Sequence, residues 1–180
     1  MLFRSLSRAL LETGQATGNP RFFDAARDTL DYVLRDLSAA GGGFFSAEDA
    51  DSEGVEGKFY LWTAAELEDA LGDDAGLFME IHGVAPEGNF ENGANILTIA
   101  KPFSIAAKKA GVSEEELLKR RTKWLAKLRS IREKRIRPHL DDKVLTSWNG
   151  LMISSLAYAG KIFSEEKYIS AARAAAGFGA

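Results

Sequence analysis

Apolar residues recur at helical spacing near the start of the chain, where Leu2, Leu6 and Leu10 lie four residues apart. A second apolar stripe follows the break at residues 18–20, and it comprises Phe22, Phe23, Ala26, Leu30, Val33, Leu34 and Leu37. Asn19 is a good N-cap, and Pro20 suits the first helical position because its missing N–H would have no intrahelical partner. The pattern predicts an antiparallel pair of helices, a helical hairpin, within residues 1–40.

The next segment, residues 41–112, predicts a small β-hairpin and loops. Phe44–Ser46 and Lys58–Trp62 are rich in aromatic residues and are predicted as strands, and Asn95–Ile99 is a candidate third strand. Short helices are predicted after the capping box at residues 63–66 and after residues 73–74. A second box at residues 113–116 predicts the start of a long basic helix over 113–137. A loop and a second helical hairpin are predicted over 138–180.

The chain also contains an internal repeat with an offset of 146 residues. The offset superimposes Leu10 on Leu156, Gly14 on Gly160, Phe22 on Tyr168, and Ala25, Ala26 and Arg27 on Ala171, Ala172 and Arg173. Repeated helical hairpins are typical of arrays and toroids, in which each pair buries its apolar face on the next. Because no capping element follows the second hairpin, we expect a homo-oligomer or missing parts of the chain's own toroid. The contact would involve residues near 2–10 and 156–178.

Composition narrows the class of protein. The chain has 180 residues, 46% of them apolar and 27% charged, which is typical of one soluble globular domain. The lack of cysteine excludes disulfides and iron–sulfur clusters within this chain, and two histidines disfavour a multi-histidine metal site. We expect no metal, no cofactor, no membrane partner and a cytoplasmic location. The basic residues of 114–137 are interpreted as a solvated face, so no nucleic-acid partner is expected.

Five carboxylates lie within nine residues, at Glu48, Asp49, Asp51, Glu53 and Glu56. Clustered oxygens suit Ca²⁺, and the spacing begins like an EF-hand, but Tyr60 occupies the twelfth position, where a bidentate Glu is needed. The alternatives are a solvated hairpin tip, or a sugar-binding cavity lined by Glu48, Asp49 or Asp51. Added Ca²⁺ is therefore not expected to raise the melting temperature.

A second constellation combines carboxylates with an aromatic residue. Asp141 and Asp142 could supply the acid/base pair that glycosidic or epimerising chemistry needs, with His139 as a further acid/base candidate. The predicted sugar-binding groups beside them are Trp148, Asn149, Arg137 and Lys143. The structural alternative is that the two carboxylates pair with Lys143 or Arg137 and cap the helix that begins near Ser147. Asn89 either reaches the cavity or makes turn hydrogen bonds.

Four segments resemble one known family. They are GGFFSAEDADSEG at 42–54, EGKFYLWT at 56–63, GNFE at 88–91 and RPHLDDKVLTSWNGLM at 137–152. These segments resemble the spermatogenesis-associated, thioredoxin-domain-containing family. The resemblance implies a mainly α fold, part of an (α/α)6 toroid similar to six-hairpin glycosidases and N-acylglucosamine 2-epimerases, without the family's thioredoxin-like domain. Residues 3–6 depart from the family's usual polar stretch at this position.

Two functions are therefore expected as alternatives. The first is a sugar-active-like domain, resembling a hydrolase or an epimerase, with a carbohydrate ligand. The second is a non-catalytic binding or scaffold domain that accompanies a thioredoxin-like domain. Fold resemblance alone does not decide between them.

Overall fold

The computed structural model describes residues 2–178, and this part of the chain is mainly α-helical, as predicted. Its helices are α1 (Leu2–Thr17), α2 (Pro20–Asp36), α3 (Ala64–Leu71), α4 (Ala75–His82), α5 (Phe103–Ala110), α6 (Glu114–Arg132), α7 (Thr146–Phe163) and α8 (Glu166–Ala176). Its strands are β1 (Ala47–Glu48), β2 (Asp51–Ser52), β3 (Val55–Glu56) and β4 (Leu140–Asp141). None of these described helices is both long enough and apolar enough to cross a bilayer.

The chain divides into two compact units. We call residues 2–49 and 140–178 the hairpin unit, because it contains the helical pairs α1–α2 and α7–α8. We call residues 50–139 the inserted unit; it contains α3 to α6 and the strands β2 and β3.

The internal repeat is visible in the helix boundaries of the hairpin unit. Helices α1 and α7 end at Thr17 and Phe163, and α2 and α8 begin at Pro20 and Glu166, so both pairs of boundaries are 146 residues apart. The predicted N-cap is confirmed, because Asn19 Oδ1 accepts a hydrogen bond from the Arg21 N–H at 3.1 Å. Both hairpins are therefore built on the same local plan.

The core of the hairpin unit lies among its four helices, and it includes Leu11, Leu30, Leu37, Met152, Leu156 and Tyr168. The buried Tyr168 hydroxyl donates to Asp31 Oδ1 at 2.8 Å, so this polar group is satisfied inside the core. Burial and the neighbouring Asp31 carboxylate raise the pKa of Tyr168 to about 12.

Helix α1 buries a face that only partly overlaps the predicted one, in which Leu10 is half-buried against the core. Leu6 is 41% exposed, whereas Arg4, Ser7, Leu11 and Gly14 are buried at spacings of three, four and three residues. A stripe that contains an arginine, a serine and a glycine carries little hydrophobic signal, and this is why the leucines dominated the prediction.

The inserted unit has its own core, which includes Trp62, Leu67, Phe78, Ile81, Leu117 and Trp124. The predicted capping box of α3 is confirmed: the Thr63 hydroxyl accepts from the Glu66 N–H at 3.2 Å, and Glu66 Oε2 accepts from the Thr63 N–H at 2.8 Å. The Ser113 hydroxyl likewise accepts from the Glu116 N–H at the start of α6. The Glu116 carboxylate accepts from Arg120, so the reciprocal half of this second box is not formed.

The predicted strands Phe44–Ser46 and Lys58–Trp62 are wrong. The hairpin lies inside the acidic loop, where β2 pairs with β3, while β1 pairs with β4. Glu53 and Gly54 close the hairpin with φ values of 54° and 74°, and a type I′ turn requires positive φ at both positions. Residues 57–60 form turns, because the Tyr60 and Leu61 N–H groups both donate to the Gly57 carbonyl.

Other boundaries also differ from the prediction. Asn95–Ile99 contributes only a single bridge, between Asn95 and Trp62. Helix α5 was missed, since its buried face consists of one phenylalanine and two alanines. Helix α6 ends at Arg132, five residues before the predicted end. Helix α2 ends at Asp36, one residue before Leu37, the last member of its predicted apolar stripe.

Candidate functional site

Asn149 anchors the candidate site of the hairpin unit. This buried side chain accepts from the Phe44 N–H at 2.8 Å and donates to the carbonyls of Phe44 and Leu145, at 3.0 and 3.1 Å. Because both amide hydrogens are used, Asn149 holds residues 44–46 against the first turn of α7. Asn149 therefore acts in this site as an anchor for the loop of residues 44–46.

Arg4 lies on the other side of the same loop. It is 1% exposed, and its Nη2 donates to the Phe45 carbonyl at 2.8 Å, with longer contacts of 3.4 and 3.5 Å to the Ser46 carbonyl. Its guanidinium carbon lies 5.0 Å from the centroid of the Trp148 ring. Burial lowers the pKa of Arg4. Arg4 belongs to residues 3–6, which depart from the family's usual polar stretch, and the sequence alone indicates no role for it.

Asp141 approaches the loop through strand pairing. Ala47 is its partner in the β1–β4 ladder, and the Ser46 N–H donates to the Asp141 carbonyl at 3.1 Å. The Asp141 carboxylate contacts Lys143 Nζ at 2.6 Å and is hydrogen-bonded to the Ser46 side chain. Lys143 is the main cause of the lowered pKa of Asp141, so this carboxylate is ionised at neutral pH.

These contacts bring five side chains to one loop. We call the accessible Asp141, Lys143 and Trp148, together with the buried Arg4 and Ser46 that link them, the Trp148 surface. Ser46 links its two halves, because its carbonyl accepts from Arg4 while its side chain contacts Asp141. Trp148 is half-buried, and Lys143 is exposed.

The remaining predicted site residues of the hairpin unit are Glu48, Asp49 and Asp142, and they do not belong to the Trp148 surface. Glu48 Oε2 accepts from the Tyr32 hydroxyl at 2.8 Å. Its ladder partner is Leu140, so it projects from the opposite face of the strand pair to Asp141. Asp49 and Asp142 are both exposed. The structural alternative is confirmed in one half, because Asp141 pairs with Lys143. Its other half, a cap of α7 by Asp141 or Asp142, is wrong, since Leu145 occupies the N-cap without a side-chain hydrogen bond.

Four predicted site residues lie in the inserted unit. Asn89 makes the turn hydrogen bonds of the structural alternative: it donates to the Gly83 and Ile96 carbonyls and accepts from the Ile96 N–H. The Arg137 guanidinium carbon lies 5.3 Å from the Phe59 ring centroid. Asp51 is exposed in β2, and His139 is exposed.

The carboxylates of the acidic loop are partly committed to protein contacts. Glu48 binds Tyr32, and Glu53 Oε2 lies 2.8 Å from Lys58 Nζ. Within residues 2–178, no three acidic, histidine or cysteine side chains form a group that could hold a metal ion.

Comparison with known proteins gives relatives for nearly the whole chain. No protein-family profile matches it. The chain is similar to spermatogenesis-associated protein 20. The rat protein is 35% identical over 198 aligned residues, and the human and mouse proteins are each 32% identical. Each alignment covers 96% of this chain and 25% of the relative.

The similarity supports the family that the four sequence segments indicated. The chain spans about a quarter of the length of these curated relatives, and their names state no substrate or activity. The thioredoxin-like domain and the toroid of the family stay predictions for the longer protein.

Proposed function

We propose that the hairpin unit binds carbohydrate at the Trp148 surface, as part of a sugar-active-like domain. The observation that carries the proposal is the half-buried Trp148 ring, in the first turn of α7, beside Arg4, which is linked through Ser46 to the Asp141–Lys143 pair. An indole presents an apolar face to the C–H groups of a sugar, while ionised groups beside it form hydrogen bonds with hydroxyls.

The charge state of Asp141 favours binding over proton donation by this residue. A glycosidase needs one carboxyl group with a raised pKa as its general acid. Lys143 lowers the pKa of Asp141, so Asp141 suits the role of a hydrogen-bond acceptor or a base. Catalysis by Asp142 or His139 in a hydrolase- or epimerase-like reaction stays a hypothesis.

A non-catalytic scaffold that accompanies a thioredoxin-like domain is the second candidate. The observation that favours it is the use of two of the predicted polar ligands, Asn89 and Asn149, to hold loops through backbone hydrogen bonds. Under either function we propose the cytoplasm as the location, because a chain without cysteine suits a reducing compartment.

Binding calorimetry with a panel of neutral, amino and acidic sugars tests the proposal. We expect at least one sugar to bind, and Trp148→Ala to weaken that binding about tenfold or more, which corresponds to about 1.4 kcal/mol. Trp148→Phe keeps an aromatic face and should retain part of the affinity. The matched control is Tyr60→Ala, which removes an exposed aromatic ring in the inserted unit.

Two outcomes contradict carbohydrate binding at this surface. One is the absence of binding by every sugar in the panel, which favours the scaffold. The other is equal affinity in the wild-type protein and in Trp148→Ala. For any sugar that is converted, loss of turnover in Asp142→Asn or His139→Gln, with binding retained, assigns that residue to the reaction.

A further inference from the structure

The inserted unit contains a cleft of about 640 Å³ that none of the predicted catalytic or sugar-binding residues lines. Its walls come from the β2–β3 hairpin, the turns of residues 58–63, the loop of residues 90–94 and the segment 134–136 that follows α6. Ligand sites for small molecules typically have volumes of about 300–1,000 Å³. The cleft therefore has room for a whole small organic molecule.

Apolar side chains are gathered in this cleft although they reach solvent. Ile136 is 62% exposed and Val55 is 43% exposed, and the half-buried Leu61 and Phe90 also line the cleft. A concave site that leaves such groups in water gains free energy when an apolar ligand covers them. This part of the cleft therefore favours a ligand with an apolar body.

The walls are held in place by hydrogen bonds within the inserted unit. Arg135 Nη1 donates to the Leu61 and Phe59 carbonyls at 2.6 and 3.2 Å, and its guanidinium carbon lies 4.2 Å from the Trp62 ring centroid. The Ser52 hydroxyl donates to the Ile136 carbonyl at 2.6 Å. The cleft is thus formed before a ligand arrives, which reduces the ordering cost of binding.

Two of the three cations that line the cleft are paired with carboxylates. Arg135 Nη2 lies 2.9 Å from Glu66 Oε1, and Lys58 Nζ lies 2.8 Å from Glu53 Oε2. The lining also contains Glu56, Glu91 and Lys134, for which the described chain supplies no side-chain hydrogen bond or ion pair. Four carboxylates against three cations leave a formal charge of −1, and the surplus lies on Glu56 and Glu91.

We infer that this cleft binds an organic cation, a protonated amine carried on an apolar body. The apolar side chains would cover the body of such a ligand, and Glu56 or Glu91 would accept hydrogen bonds from its ammonium group. This site belongs to the inserted unit and goes beyond the carbohydrate binding proposed for the hairpin unit.

Three ligands with one indole body and different charges test the inference. They are tryptamine, which is cationic, tryptophol, which is neutral, and indole-3-propionate, which is anionic. Calorimetry or ligand-observed NMR with the full chain should rank them in that order of affinity. Equal affinity for all three, a preference for the anion, or no binding of tryptamine at millimolar concentration would overturn the inference.

Variants locate the binding site and separate the contribution of the carboxylates from that of the apolar wall. Glu56→Gln and Glu91→Gln should each weaken tryptamine binding by up to about fivefold, the range of a solvent-exposed ion pair, while tryptophol binding stays unchanged. Ile136→Ser should weaken both ligands. Glu68→Gln, an exposed carboxylate of α3 that does not line the cleft, is the control.

All four substitutions lie at exposed positions, and far-UV circular dichroism verifies that each variant folds. Unchanged tryptamine affinity in both glutamine variants, or in Ile136→Ser, would show that the ligand binds elsewhere and would contradict the inference.

Discussion

Asn149 shows how one polar side chain can determine the geometry of a loop. Its amide matches both the donor and the acceptor of the Phe44 backbone, so residues 44–46 are held in register with α7. Ser46, the link between Arg4 and Asp141, lies two residues further along that loop. Asn149 therefore positions the Trp148 surface while its own hydrogen-bonding groups face the backbone.

We expect Asn149→Ala to lower the free energy of unfolding by about 2–3 kcal/mol, because it leaves the buried backbone groups of Phe44 without partners. Urea denaturation measures the change. Ser147→Ala, at an exposed position of the same helical turn, should change stability by less than about 0.5 kcal/mol. Equal stability of the two variants would contradict the role of Asn149 as an anchor.

His82 is a buried titratable group of the inserted unit. Its ring packs on Phe78 with centroids 4.3 Å apart, and Nδ1 lies 2.7 Å from the Thr98 carbonyl. Nε2 is buried without a hydrogen-bond partner in the described chain. Desolvation is the main cause that lowers the pKa of His82 below its ordinary value of 6.5, and the charge of Arg121 lowers it further.

Stability should therefore fall as the solution becomes acidic. The unfolded chain takes up a proton at His82 near pH 6.5, whereas the folded chain resists it until the pH is lower. We expect the free energy of unfolding to decrease from about pH 7 to about pH 5.5, and His82→Gln to reduce this slope. His139→Gln is the control, since His139 is exposed. An unchanged slope in His82→Gln would contradict the prediction.

At the scale of elements, a glycine permits the close approach of the helices in each hairpin. A Cβ atom added to Gly14 would lie 2.7 Å from the Phe23 ring, and one added to Gly160 would overlap Cγ1 of Ile169. Gly14 and Gly160 are related by the internal repeat, and so are Phe23 and Ile169. The same packing solution is thus used in α1–α2 and in α7–α8.

Gly160→Ala should destabilise the protein by about 1–3 kcal/mol through overpacking. Gly150 lies in the same helix with open space around it, so Gly150→Ala should stabilise the protein by about 0.5–1 kcal/mol. Thermal unfolding of the two variants measures this opposite response. A stabilising effect of Gly160→Ala would contradict close helix packing in the second hairpin.

Helix starts with a side-chain cap were predictable from sequence, whereas the uncapped start of α5 and the strands were not. Asn19 with Pro20, and Thr63 with Glu66, have local caps whose hydrogen bonds depend on neighbouring residues alone. The aromatic residues of Lys58–Trp62 suggested a strand, but Phe59 and Trp62 pack under the guanidinium groups of Arg132 and Arg135. That packing depends on residues about 70 positions away, which local patterns do not contain.

The candidate site was predictable only in part, for the same reason. The motif at 137–152 indicated Asp141, Lys143 and Trp148; Asp141 pairs with Lys143, and Trp148 lies beside Arg4. The role of Asn149 as an anchor and the contribution of Arg4 depend on contacts between segments 41 to 105 residues apart. The cleft of the inserted unit is likewise assembled from four separate segments, so no single motif marks it.

At the scale of the whole molecule, self-association stays a prediction. Leu156 and Tyr168, which lie in the predicted contact region, are buried inside the hairpin unit and cannot contribute. Leu6 and Leu151, 41% and 45% exposed, are the better candidates.

Light scattering over a concentration series should show association, because helical hairpins of an array bury their apolar faces on neighbouring units. The double variant Leu6→Glu with Leu151→Glu should abolish it, whereas Ile105→Glu, at an exposed position of the inserted unit, should not. A wild-type protein that stays monomeric at every concentration would contradict the prediction.

The central claim is carbohydrate binding at the Trp148 surface, and the indole N–H resonances of the three tryptophans test it most directly. Trp62 and Trp124 are buried, and Trp124 Nε1 donates to Asp74 at 2.8 Å, so both serve as internal references. In a titration with the sugar panel, followed by ¹H–¹⁵N correlation spectra, we predict that a binding sugar shifts the Trp148 resonance and leaves the other two in place. A Trp148 resonance that no sugar moves would contradict the claim.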